Sequence, residues 1–279
     1  MLQVMLLAGA LLPACTPIDG ADTVFADKSV EWIVIGESHG TKETPEVFAD
    51  LLCLAAVQGR KPGVALEMPE TMAADLDAYL ASDGGPGARK ALLAHDFWQG
   101  PVKDGRSSAA MIDLLETLRK QMQAGRIAAV VPIQPSGRAL RSAEYERAMA
   151  KNVEKARTGK GADLTLVLVG NFHARLASGG ARGPGYLPMA GFLPQGATRS
   201  FNATGNGGAE WNCVLLSGAK EGAEPKCGMH DWGPARTKRP RGIVFATSDR
   251  AGYTGWLNMG LMTTASPPAV PFREETEGR

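Results

Sequence analysis

Trp32-Ile33-Val34-Ile35-Gly36-Glu37-Ser38-His39 is an unbroken apolar run closed by a glycine, a carboxylate and a histidine. A run that is apolar at successive positions reads as a strand buried on both faces of a parallel sheet. Leu164 to Val169 repeats the pattern and closes on Gly170-Asn171-Phe172-His173. Two more short apolar runs, Gly63 to Leu66 and Ile127 to Ile133, lie between them. Helical periodicity fills the intervals. Thr44-Pro45 reads as an N-cap with proline at the first helical position, ahead of Val47, Phe48, Leu51, Leu52 and Ala55. A second helix is expected near Met72 to Leu80, then a loop at residues 83–87. A third carries Met111, Leu115, Leu118 and Met122 on one face and stops at Gly125. A fourth spans Ser142 to Arg157, with Tyr145, Met149 and Val153 inward.

Strands alternating with helices predict an α/β fold, with a largely parallel central sheet and helices on both faces. After residue 180 glycine, proline and asparagine become frequent. Short strands are expected at Thr198 to Ala203, Trp211 to Leu216, Gly242 to Thr247 and Trp256 to Thr263, extending the same sheet, antiparallel. The chain of 279 residues suits one α/β domain over residues 25–279 with a loop-rich C-terminal part. Charges nearly cancel, 30 basic against 29 acidic, so no global field recruits nucleic acid.

Val4 to Leu12 is apolar but too short to span a bilayer. It ends in Leu12-Pro13-Ala14-Cys15, which resembles the lipobox of bacterial lipoproteins. That resemblance makes residues 1–15 a signal peptide, Cys15 the lipidated residue, and the periplasm or outer membrane the location, with the lipid anchor as the only membrane contact. No Lys or Arg precedes the run, unlike a signal peptide's n-region. An ordinary cleaved signal peptide and a buried first strand remain as alternatives. With Cys15 carrying lipid, Cys213 and Cys227 are free to pair in an oxidising compartment, and Cys53 is left as unpaired packing on a helix.

Of four histidines, His39 and His173 share one context: a buried-type strand, a glycine, two residues, then histidine. Ligands and catalytic groups of open α/β sheets gather beyond the carboxyl ends of strands. Both histidines are therefore expected on one sheet edge, and strand order decides whether they meet. The alternative is that each merely caps backbone groups. Glu37 lies two residues before His39, and Glu67 closes the second strand, where a lone buried carboxylate would be costly. Arg106, in Lys103-Asp104-Gly105-Arg106, is a candidate to pair a carboxylate or hold an oxyanion, the alternative being an arginine of a surface turn. His95, with Asp96, Phe97 and Trp98, is a candidate for the site's mouth, and Asn171 for orienting water or substrate.

Gly36-Glu37-Ser38-His39-Gly40-Thr41, with the second Gly-x-x-His, resembles the superfamily of erythromycin esterases, ChaN-like haem-binding lipoproteins and Tiki/TraB proteins. The resemblance covers about residues 30–180. By position it implies His39 and His173 as the motif histidines, Glu37 as the acidic neighbour, Glu67 as the second-strand glutamate and, less closely, Arg106. The long helical insertions of macrolide esterases are missing from this sequence. Three functions are compatible with it. One is a hydrolase in which His39 activates water for an ester, lactone or peptide, Glu37 or Glu67 holds the imidazole, and His173 and Arg106 stabilise the oxyanion. Zn, Mn or Co could assist, held by His39, His173 and Glu37. The second is a haem- or metal-binding envelope lipoprotein, with a histidine or one of Tyr79, Tyr145, Tyr186 and Tyr253 as axial ligand. The third is an envelope protein whose site has decayed.

Overall fold

The computed structural model describes residues 15–137, 142–157, 161–177, 186–214, 225–248 and 252–272. Of the leader expected at residues 1–15, all but Cys15 lies outside them. The elements follow in chain order as α1 (Ala21–Ala26), β1 (Trp32–Glu37), α2 (Glu43–Val57), β2 (Pro62–Pro69), α3 (Ala73–Ala81), α4 (Pro86–Leu93), α5 (Asp96–Gln99), α6 (Ala109–Gln123), β3 (Ala129–Gln134), α7 (Ala143–Glu154), β4 (Leu164–Gly170), β5 (Thr198–Thr204), β6 (Gly207–Val214), β7 (Lys226–Pro234), β8 (Gly242–Phe245) and β9 (Gly255–Asn258).

Seven strands form one sheet in the order β3-β2-β4-β1-β5-β9-β8. Alternation of side chains across the sheet explains why β1 and β4 are apolar at nearly every position. Ile33, Ile35, Leu166 and Leu168 point into a core under α2, α3 and α6, while Trp32, Val34, Val167 and Val169 point into a second core beneath α7. The C-terminal strands join differently from expectation. β5 and β9 enter parallel, only β8 pairs antiparallel within the sheet, and β6 leaves it to form a separate antiparallel hairpin with β7.

Several boundaries also differ. The domain begins before residue 25: Ile18, Val24 and Phe25 are buried, and Asp19 bridges Gly242 on the edge strand β8. Helix α2 starts at Glu43, one residue before the expected cap, and the Thr44 hydroxyl instead meets Thr41 Oγ1 at 2.8 Å. The expected loop at 83–87 runs into α4, which Pro86 opens at its first position, where a missing N–H costs nothing.

All four cysteines pair. Cys213 is joined to Cys227 directly across the hairpin, and Cys15 to Cys53 on α2. Cys53 is thus not the unpaired packing residue expected. A sulfur in that bond cannot also carry the lipid expected on Cys15.

Leu166 is fully buried in the central strand β4. Leu166→Ala is expected to lower the unfolding free energy by about 2–5 kcal/mol, the cost of lost transfer energy plus a cavity. Urea denaturation measures it; a loss within about 0.5 kcal/mol of zero, typical of surface sites, would contradict this core placement.

Candidate active site

The strand order puts the two Gly-x-x-His motifs side by side. β1 lies directly against β4 with Glu37 in register with Gly170, and β2 flanks β4 on its other side. Glu37, Glu67 and Gly170 therefore leave three adjacent strands at the same edge, and both histidines emerge there.

At the centre sits the buried carboxylate of Glu67. Its Oε2 accepts the Gly170 N–H at 2.6 Å and lies 3.6 Å from His39 Nε2. Its Oε1 lies 3.7 Å from His173 Nε2 and 3.4 Å from Arg106 Nη1. Each imidazole is held from behind by a second carboxylate. Glu37 Oε1 meets His39 Nδ1 at 2.9 Å, and Glu146 Oε2 meets His173 Nδ1 at 2.8 Å. Both Nε2 atoms are thereby turned toward Glu67. The contacts across Glu67 exceed ordinary hydrogen-bond length, so the three groups frame a space instead of closing it. Glu37, not Glu67, is the group that orients His39.

The first glycine of each motif has a steric reason. A Cβ on Gly170 would lie 2.8 Å from His39 Nε2 and 3.4 Å from Glu67 Oε2, and one on Gly36 would meet the Ala174 Cβ at 2.7 Å. Gly40, at φ 78°, and Gly105, at φ 93°, adopt a backbone conformation that disfavours side chains. Both press against the main chain of Trp211: its N–H donates to Gly40 O at 2.9 Å, and its indole N–H to Lys103 O at 3.0 Å. The hairpin β6–β7 is strapped over the strand ends in this way, and Asn212 and Cys213 become a wall of a cleft of about 600 Å³ that also contains Glu37, His39, Glu67, Arg106, Tyr145 and His173.

Charge is concentrated here. Burial opposes protonation of His39, but Glu67 and Glu37 outweigh it and raise its pKa to about 9. Burial likewise opposes ionisation of Glu67, yet His39, His173, Arg106 and the Gly170 N–H together hold it below the usual carboxylate range. For Glu37 burial prevails over the His39 contact and pushes its pKa up. Asp104, gripping Arg106 through Nε and Nη2, is held low by that guanidinium against the pull of burial. Burial, then Glu67, pushes Tyr145 up to about 12, which keeps it a phenol.

Glu37, His39, Glu67, Arg106 and His173 are thus brought together. Sequence reasoning missed Glu146, Asp104 and Tyr145 as members. Glu146 is fully buried, and its signal was present: it shares a helical face with Met149 and Val153. Its other oxygen, Oε1, accepts the Tyr186 hydroxyl at 2.7 Å, and the Met189 N–H donates to Oε2 at 2.9 Å. His95 does not reach the cleft. It caps α5, accepting the Phe97 N–H at its Nδ1, while Asp96 and Phe97 line an adjoining groove and Trp98 is core.

The ligand set His39, His173 and Glu37 does not assemble. Glu37 stands behind His39 on Nδ1, and among the described residues no three His, Cys, Asp or Glu side chains are arranged to hold a metal ion. Of the tyrosines, Tyr145 alone among Tyr79, Tyr145, Tyr186 and Tyr253 lines the cleft.

No family model matches this chain, and no curated protein matches it in sequence. Solved structures do match its fold. An erythromycin esterase mutant in its open conformation is 10% identical with a TM-score of 0.56, over 90% of this chain and 94% of that one. A succinoglycan biosynthesis protein is 10% identical with a TM-score of 0.57, over 88% and 91%. The type III effector HopBA1 is 14% identical with a TM-score of 0.50, over 88% and 96%. The chain therefore has an erythromycin-esterase-like α/β fold, and at these identities the likeness is one of fold.

Gly170→Ala tests the packing of the motifs. The glycine has no positive φ, and the atom its Cβ would strike is the tip of a side chain, so the fold is expected to persist while the His39 ring swings away. A crystal structure of the variant with that ring unmoved would contradict the geometry.

Proposed function

We propose that the chain is a hydrolase that activates water for cleavage of an ester or lactone at the His/Glu cleft. One observation carries the reading: His39, held at Nδ1 by Glu37, presents Nε2 to an open cleft opposite the donors His173 and Arg106. That is the relation of a general base to its oxyanion-stabilising partners. In the reaction, neutral His39 takes a proton from water as the water oxygen adds to the acyl carbon. Arg106 and His173 hold the resulting oxyanion. The acyl bond to the leaving oxygen then breaks, and His39 returns the proton to that oxygen. The fold shared with an erythromycin esterase supports this class of chemistry. Two disulfides support an exported protein, since such bonds persist in oxidising compartments.

The raised pKa of His39 gives the proposal a pH signature. A base works only when unprotonated, so kcat/KM is expected to climb with pH and level off above about 9. Glu67→Gln removes the largest influence that raises His39, and should move that limb to lower pH. His39→Ala should lower kcat by about 10²–10⁴, the usual contribution of a general base. An ester and lactone panel assayed from pH 6 to 10 reads all three. Undiminished turnover by His39→Ala would place the chemistry elsewhere.

A further inference from the structure

Between the two motif histidines the remaining motif residues point elsewhere. Ser38 and Asn171 are both exposed, and they line not only the His/Glu cleft but a second pocket on its far side. That pocket measures about 270 Å³, below the roughly 300–1,000 Å³ range of ligand sites for drug-sized molecules. It suits a single ring.

Its chemistry is uniform. Ser38, Asn171 and Asn202 line it from the strand ends, and Glu210 and Trp232 from the hairpin. The Asn202 Oδ1 is buried and has no hydrogen-bond partner among the described residues. Its amide can therefore reorient toward a ligand without giving up a side-chain bond. Trp232 is 64% exposed, and His230 stacks against its ring at 6.2 Å. A large exposed indole beside amides, hydroxyls and one carboxylate has apolar area for the C–H face of a ring and both donors and acceptors for its rim. Among the described residues the lining holds no cation to select an anionic group.

We propose that this pocket is a subsite for an uncharged sugar ring, and that the ester cleaved in the adjoining cleft has a sugar hydroxyl as its alcohol. The second half rests on the hydrolase reading; the first does not. Ser38 and Asn171 line both pockets, so a ring seated on Trp232 lies beside the cleft that holds His39 and Arg106. Water then adds its oxygen to the acyl carbon, the bond from that carbon to the sugar oxygen breaks, and the proton lost by water ends on the sugar oxygen.

The test uses the full chain and separates the two halves. Intrinsic tryptophan fluorescence is titrated with glucose, galactose and N-acetylglucosamine, and with a neutral tripeptide as control. At least one sugar is expected to give a saturable change, and the tripeptide none. Trp232→Ala and Asn171→Ala, both at exposed positions, should each weaken sugar binding at least about tenfold, followed calorimetrically for the tryptophan variant. In turnover, Trp232→Ala should raise KM for an acetylated form of the bound sugar by about tenfold. Sugar binding without any ester hydrolysis would sink the hydrolase reading and leave the subsite standing. No binding by any sugar, binding indifferent to both variants, or tripeptide binding at the same pocket overturns the subsite.

Discussion

A single buried carboxylate, Glu67, fixes what the strand-end cleft can be. Burying it alone would cost several kcal/mol, so the surrounding structure is arranged to compensate it: a backbone N–H from Gly170, two imidazoles and the Arg106 guanidinium. Those compensating groups come from β4, from the loops after β1 and β4, and from the loop before α6. Removing the charge of Glu67 would leave these four groups without their common partner. The outer carboxylates, Glu37 and Glu146, complete the balance and turn both rings inward.

The rest of the chain serves this arrangement at a distance. The two cores on either face of the sheet fix β1, β2 and β4 in register, which sets the separation of the histidines. The hairpin β6–β7 contributes nothing to those cores. It is held through Trp211 against Gly40 and Gly105 and through its own disulfide, and it supplies walls to both the cleft and the second pocket. An architecture of this kind separates a rigid chemical centre from a hairpin on which specificity can change.

Much of the centre was legible in the sequence because strand-end logic needs only local patterns. An apolar run followed by Gly-x-x-His locates His39 and His173, and a glutamate closing another such run locates Glu67. What the sequence left open was non-local. Strand order, which brings β1 between β4 and β5, follows from no single segment. Glu146 is hidden among the charges of α7, where only its shared face with Met149 and Val153 marks it as inward. The Cys15–Cys53 bond depends on the path of the N-terminal segment across α2, and a lipobox-like local pattern pointed away from it. The parallel entry of β5 and β9, and the departure of β6 and β7 into their own hairpin, arise from tertiary packing that short glycine-rich strands do not encode in their periodicity.

The most direct measurement is a ¹⁵N-resolved NMR titration of the imidazoles, feasible because the chain has only four histidines. With resonances assigned by His39→Gln and His173→Gln, the His39 ring is expected to keep its Nδ1 proton throughout and to lose the Nε2 proton near pH 9. Loss of the proton near the ordinary histidine value of about 6.5, with Nδ1 exchanging freely, would contradict a carboxylate-held histidine facing Glu67.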